Sequence, residues 1–174
     1  IKEGKNDGDF KARMVLQDLK ILRKLDPAET YAQVPTLDHL RLIIASFDHE
    51  RDVLSQNDLV TAYLQTDEDD PEDWILVKYK DPTSRKQVYA MLCGPCYGGQ
   101  DAGKKFKDHY KKKHVSDMGF EELVNAPSVY FNKETKTVVP THVDDPMAKC
   151  TGDNIEDGLR KTHEYHDLLD NLFD

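Results

Sequence analysis

Thr141-His142-Val143-Asp144-Asp145 sets two adjacent carboxylates behind the β-branched run Thr137-Val138-Val139. A strand running into a tight turn would carry both acids at its tip. An Asp-Asp pair by itself is ordinary turn chemistry, because aspartate bonds its own backbone and stays hydrated there. A third acid adds a second possibility. Asp58 opens Asp58-Leu59-Val60-Thr61-Ala62-Tyr63-Leu64, just after another β-rich segment. Carboxylates from two strand ends can converge on divalent ions, and Mg²⁺ takes hard oxygen ligands while keeping positions for water and phosphate oxygens. A solvated turn and an ion site are both compatible with these residues.

Three other groups carry potential chemistry. Cys93-Gly94-Pro95-Cys96 is the tetrapeptide of thioredoxin active sites. Dithiol chemistry wants its first cysteine at a helix N-terminus, whose partial positive charge lowers the thiol pKa. Tyr97-Gly98-Gly99 follows instead, a poor helix start, so two plain thiols in a β-to-helix connection are expected. His163 and His166 stand one turn apart on a predicted helix, with no cysteine pair nearby in sequence, and read as surface histidines. Lys104, Lys105, Lys107, Lys111, Lys112 and Lys113 crowd one predicted helix. They describe either a solvated charged face or an anion-binding one.

The elements that must position these groups are legible in part. An Asp7-Gly8 turn signal between short extended stretches predicts a hairpin whose second strand holds Lys11 and Arg13. Residues 17–35 look irregular. Thr36 can cap a helix in which Leu37, Leu40, Ile43, Ile44 and Phe47 share one face, and that face should pack on a sheet. Residues 53–57 then lead as a strand into Asp58, and 61–64 suit a short helix. The acidic run 67–73 reads as a solvated loop. Strands are expected over 74–79, 87–92, 128–131 and 136–141, and helices over 102–114 and from Ile155 onward. Paired strands without regular βαβ alternation predict the α+β class.

The chain has 174 residues, enough for one domain with a core. No stretch approaches the ~18 apolar residues of a membrane span and no signal-peptide pattern opens the chain, so a soluble intracellular protein with no membrane partner is expected. A net charge of −9 argues against nucleic-acid binding through the overall field, while leaving room for a local basic groove. Three cysteines make no disulfide framework.

Six segments, in order, resemble the reverse transcriptase domain of copia-type retrotransposon polyproteins. Lys11-Ala12-Arg13-Met14-Val15 is similar to that family's Lys-Ala-Arg-x-Val fingers strand, and Leu40-Arg41-Leu42-Ile43-Ile44 to the helix after it. The Asp58–Leu64 segment resembles the first catalytic motif, usually Asp-Val-Lys-Thr-Ala-Phe-Leu. Tyr97-Gly98 with Ala102 is similar to Tyr-Gly-Leu-Lys-Gln-Ala-Pro, and Pro127-Ser128-Val129-Tyr130 to Asp-Pro-Cys-Val-Tyr. Val143-Asp144-Asp145 matches the second catalytic motif, usually Tyr-Val-Asp-Asp. The chain departs from the pattern at His142 (usually Tyr), Asp101 (Gln), Gly99 and Gly103 (Leu and Pro), and Pro146, where the family continues an apolar strand.

The resemblance implies a fingers–palm polymerase fold, an antiparallel palm sheet flanked by helices. Fingers would span approximately 1–55 and 66–96, and palm approximately 56–65 and 97–174. It implies an RNA-directed DNA polymerase that joins a dNTP to a primer 3′-hydroxyl. Asp58 and Asp144 would bridge two Mg²⁺ ions (or Mn²⁺), with Asp145 supporting the site. Tyr63 would stand as the aromatic gate against a ribose 2′-hydroxyl, its alternative role being core packing. Lys11 and Arg13 would grip the dNTP triphosphate, or else line a solvated strand face. Lys104, Lys107 and Lys111 would lie beside an RNA or DNA template with its primer. The thumb, RNase H and integrase of the polyprotein would be further partners, in a cytoplasmic virus-like particle. The alternative function is a catalytically degenerate nucleic-acid-binding remnant; a thioredoxin-like dithiol protein using Cys93 and Cys96 is a third.

Overall fold

The computed structural model describes residues 2–3, 10–11, 15–18, 24–59, 61–66 and 74–173. Its first strands, β1 (Lys2–Glu3) and β2 (Phe10–Lys11), form the expected antiparallel hairpin. Arg13 and the acidic run 67–73 lie outside the described residues, and so does the side chain of Lys11.

A short helix, α1 (Pro27–Thr30), interrupts the stretch expected to be irregular. Asp26 caps it, accepting from the Ala28 amide at 2.8 Å, while Glu29 accepts the Asp26 amide at 2.9 Å. Helix α2 (Leu37–Ala45) starts at Thr36, whose hydroxyl accepts from the His39 amide at 3.3 Å. Its apolar face does not pack as expected. No residue of α2 is buried, and Leu37 and Ile44 are 59% and 53% exposed. Helical periodicity marks an apolar face but names no partner for it.

That sheet is antiparallel and ordered β3 (Asp52–Gln56), β9 (Asp145–Thr151), β8 (Thr137–His142), β7 (Val129–Asn132) and β6 (Glu121–Glu122). Helices α3 (Ala102–Lys112) and α4 (Ile155–Phe173) cover one face, and a single π turn (Lys113–Asp117) ends α3. Strand alternation sends Tyr130, Val139, Ala148 and Cys150 toward these helices. There they meet Phe106, Tyr110, Tyr165, Leu169 and Phe173 in the buried core. Tyr110 stacks on the His114 ring at 4.0 Å and on Phe173 at 5.5 Å.

His114 is fully buried, its Nε2 3.3 Å from the Tyr165 hydroxyl and its Nδ1 3.3 Å from the Tyr110 carbonyl. Burial takes its pKa down to about 3, against the pull of that carbonyl. His166, expected at the surface, is half-buried and its Nε2 lies 2.9 Å from the Ser55 hydroxyl; His163 is exposed. At the far end of the other sheet face, buried Lys149 donates to the Ser46 carbonyl at 2.9 Å and reaches Asp52 at 3.1 Å. This ties the α2–β3 corner to β9.

β4 (Ile75–Lys80) and β5 (Gln87–Leu92) form a separate two-stranded sheet. The architecture is therefore mixed helix and antiparallel sheet, as the pattern of elements predicted. Among the described residues no helix is long and apolar enough to cross a membrane.

Candidate functional site

The two acid-bearing segments meet at one end of the sheet. β8 and β9 are joined by the tight turn Val143-Asp144, with His142 paired to Asp145 across it. Val143 holds φ at 58°, in the left-handed region that a β-branched side chain avoids. The strand–turn prediction from Thr137-Val138-Val139 thus holds, with both acids at the tip.

β3 pairs with β9 from Asp52↔Thr151 to Gln56↔Met147. Two further bonds carry the same register beyond the strand. The Asn57 amide donates to the Pro146 carbonyl and the Leu59 amide to the Asp144 carbonyl, each at 3.0 Å. By that register Asp58 stands opposite Asp145, between two hydrogen-bonded positions. Such a pair brings its side chains to one face at close range. Alternation sends Leu59 into the helix-covered core, where it is 7% exposed, and sends Asp58 and Asp145 to the opposite face, where both are exposed. Pro146 fits this arrangement. It gives up a ladder donor, but its carbonyl is the group that Asn57 uses.

Tyr63 lies in a 3₁₀ turn (Ala62–Gln65) directly after this crossing. Its ring stands edge-on to Tyr97 at 5.1 Å and to Phe106 at 5.8 Å, half-buried against the core. Burial raises its phenol pKa, and the negative charge of Asp144 raises it further. Tyr63 is therefore both a packing residue and a neighbour of the acid tip. Tyr97 was a motif residue without a role in the sequence; the ring contact supplies one.

The donor chemistry suits a hard divalent ion, since all three groups offer carboxylate oxygens. Like charges directly opposite in a ladder are unfavourable, and a cation between Asp58 and Asp145 would relieve that repulsion. Among the described residues no three His, Cys, Asp or Glu side chains are already gathered as a ligand set.

The expected template-side lysines have intramolecular partners. Lys104 pairs with Asp108 one turn on. Lys107 and Lys111 share Glu122 of β6, at 3.8 and 2.6 Å. Burial alone would raise the Glu122 carboxyl, but the Lys111 bond, the Ser128 amide and the charge of Lys107 take it below the ordinary range. Nothing in the spacing of the sequence pointed to Glu122, because its link to α3 depends on how β6 folds back. Asp101, the departure from the family pattern, is buried at the head of α3 and pairs with Lys105 at 3.5 Å.

Cys93 is exposed and Cys96 is buried, and the two are not joined in a disulfide. α3 begins at Ala102, so neither cysteine stands at a helix N-terminus. No family model, curated protein or solved structure matches the chain.

Proposed function

We propose that the chain is the fingers–palm portion of a copia-type reverse transcriptase, with its nucleotidyl-transfer site at the β3–β9 crossing. The observation that carries this reading is the pair of amide bonds from Asn57 and Leu59 to Pro146 and Asp144. They join two sequence motifs, far apart in the chain, that the resemblance had assigned to one catalytic centre. Asp58, Asp144 and Asp145 would hold the ions. When bound, Mg²⁺ supplies charge neutralisation at a triphosphate and acidifies a primer 3′-hydroxyl.

The chain's own residues do the positioning. Asp58 and Asp145 face each other on the exposed side of the sheet, while Leu59 and Tyr63 anchor the same segment in the core. The Tyr63 ring, held by Tyr97 and Phe106 and within the electrostatic reach of Asp144, would be the gate against a 2′-hydroxyl. Lys11 and Arg13 would hold the triphosphate oxygens, Arg13 through its bidentate fork. The reaction needs no protein nucleophile. The assignment also implies Lys104, Lys107 and Lys111 near a template–primer, an RNA or DNA template, and the rest of a polyprotein within a virus-like particle.

The test is Mn²⁺ binding followed by electron paramagnetic resonance, alongside primer extension on an RNA template. The wild-type chain should bind Mn²⁺, and Mg²⁺ should displace it. Asp58→Asn and Asp144→Asn should each weaken binding at least tenfold, about 1.4 kcal/mol. Equal Mn²⁺ affinity in all three proteins would refute the site. Metal binding without extension would favour a degenerate remnant.

A further inference from the structure

The β4–β5 hairpin differs from the rest of this acidic chain. Between Trp74 and Leu92 it carries Lys78, Lys80, Arg85 and Lys86 against one acid, Asp81, so its charge is +3 within a chain of −9. Asp81 is turned into its own loop. It accepts the Thr83 and Ser84 amides at 3.0 Å each, and the Ser84 hydroxyl as well. All four cations are exposed, and among the described residues none has an ion-pair partner.

Their placement is as distinctive as their number. The register Leu76↔Met91, Lys78↔Tyr89 and Lys80↔Gln87 puts six exposed side chains on one face of the ribbon. Leu76 is 65% and Tyr89 59% exposed. Gln87 donates to the Tyr89 hydroxyl at 2.6 Å, which fixes the ring beside Lys78 and Lys80. At physiological ionic strength the Debye length is ~8 Å, so the charge of this face, not the net charge, decides what docks on it. A ribbon face with exposed cations beside an exposed aromatic ring matches the two parts of single-strand recognition, backbone neutralisation and base stacking. A duplex would satisfy the cations and leave the ring unused.

We propose that the outward face of the β4–β5 hairpin binds single-stranded nucleic acid. On that face Lys78 and Lys80 take phosphates and Tyr89 stacks on a base, and Arg85 and Lys86 of the connecting turn take phosphates at the hairpin's tip. The polymerase reading enters only in identifying that strand as template; binding here does not depend on the acid tip.

Fluorescence anisotropy on the full chain, in EDTA and across a salt series, tests this. The probes are labelled oligo(dT) and oligo(U) of about 15 nucleotides, within the span of known single-strand sites, and a blunt duplex of equal length. The two single strands distinguish a DNA from an RNA ligand. Both or one of them should bind more tightly than the duplex. Lys78→Ala/Lys80→Ala and Arg85→Ala/Lys86→Ala should each flatten the log–log salt slope by roughly 1.4 units, two single-strand phosphates apiece. Tyr89→Ala should weaken binding by about fivefold to a hundredfold at unchanged slope, while Tyr89→Phe retains it. Asp58→Asn/Asp145→Asn should bind the strand as wild type does, so failure of the metal site and failure of the hairpin are read separately. Unchanged affinity and slope in the combined four-cation variant, with native circular dichroism, would overturn the proposal. So would tighter binding to the duplex, or equal displacement of the strand by polyglutamate.

Discussion

Helix α3 offers Lys104, Lys105, Lys107 and Lys111, and the β4–β5 hairpin offers Lys78, Lys80, Arg85 and Lys86, yet the two sets meet opposite circumstances. Each of those α3 lysines has a carboxylate within ion-pairing distance, from Asp108, Asp101 or Glu122. The hairpin's one acid is occupied by its own turn. The inner side of α3 is core, with Phe106 and Tyr110 each 1% exposed. The hairpin's outward face is solvent. A run of lysines is thus no measure of an anion-binding surface until its neighbouring acids are known. α3 is a structural helix with four of its lysines paired, two of them to β6, whereas all four hairpin cations are exposed and without an ion pair among the described residues.

The largest effect that sharpens this contrast is on stability. Tyr110→Ala removes a fully buried ring that also accepts the Thr141 hydroxyl bond at 3.2 Å. It should cost about 3–5 kcal/mol in urea unfolding. Tyr89→Ala should stay within about 0.5 kcal/mol of wild type, as an exposed substitution does. Comparable losses in the two variants would mean that the hairpin is packed in solution.

Next in size is the acid response of the α3 end. Because the folded pKa of His114 is depressed to about 3, the unfolded chain binds the extra proton between that value and the ordinary ~6.5. Stability contributed by neutral His114 is therefore present above that window. It should fall on acidification through it, by up to about 1.4 kcal/mol per pH unit. Unfolding midpoints measured across this range should flatten in His114→Gln. An identical pH profile in the variant would show that the ring is hydrated.

The smallest effect tests the contrast directly. Glu122→Gln removes the shared acid from Lys107 and Lys111 and should cost about 1–3 kcal/mol at neutral pH. Since the folded Glu122 carboxyl lies below its unfolded value, its contribution is present above the ordinary ~4.3 and is lost as pH falls through the lower folded value. The variant should accordingly lose part of the wild-type acid limb. It should also release two lysines and strengthen oligonucleotide binding at low salt. If binding stays unchanged while the hairpin variants abolish it, α3 contributes nothing to that surface.

What could be read from the sequence was what neighbours in the chain decide. Thr36 caps α2, the β-branched run before Asp144 is a strand, and the 3.6-residue pattern after Ile155 is α4. Asp58 and the Asp144-Asp145 pair could be named as partners only through their motifs, and the ladder adds a register, Asp58 opposite Asp145, that no local signal contains. Pro146 departs from the family's apolar strand and lacks a ladder donor, yet β9 runs on to Thr151 and the proline carbonyl still serves the ladder. The exposure of α2 and the answering of the α3 lysines by Glu122 were invisible for one reason. Both depend on which surfaces are occupied by segments distant in sequence.

The crossing of β3 on β9 has one more consequence. Arg51 and Gly152, bonded at its far end through the Arg51 side chain, lie 101 positions apart in the chain. The β8–β9 hairpin closes over a two-residue turn, whereas β3 can join it only after a loop of that order has closed. The acid pair at 144–145 is a product of short-range order, and its meeting with Asp58 is a product of the completed topology. Any fluctuation that peels β3 from the sheet edge separates the carboxylates while leaving the hairpin whole. Proximity of Asp58 to Asp145 is thus a property the chain has only when nearly all of it is folded.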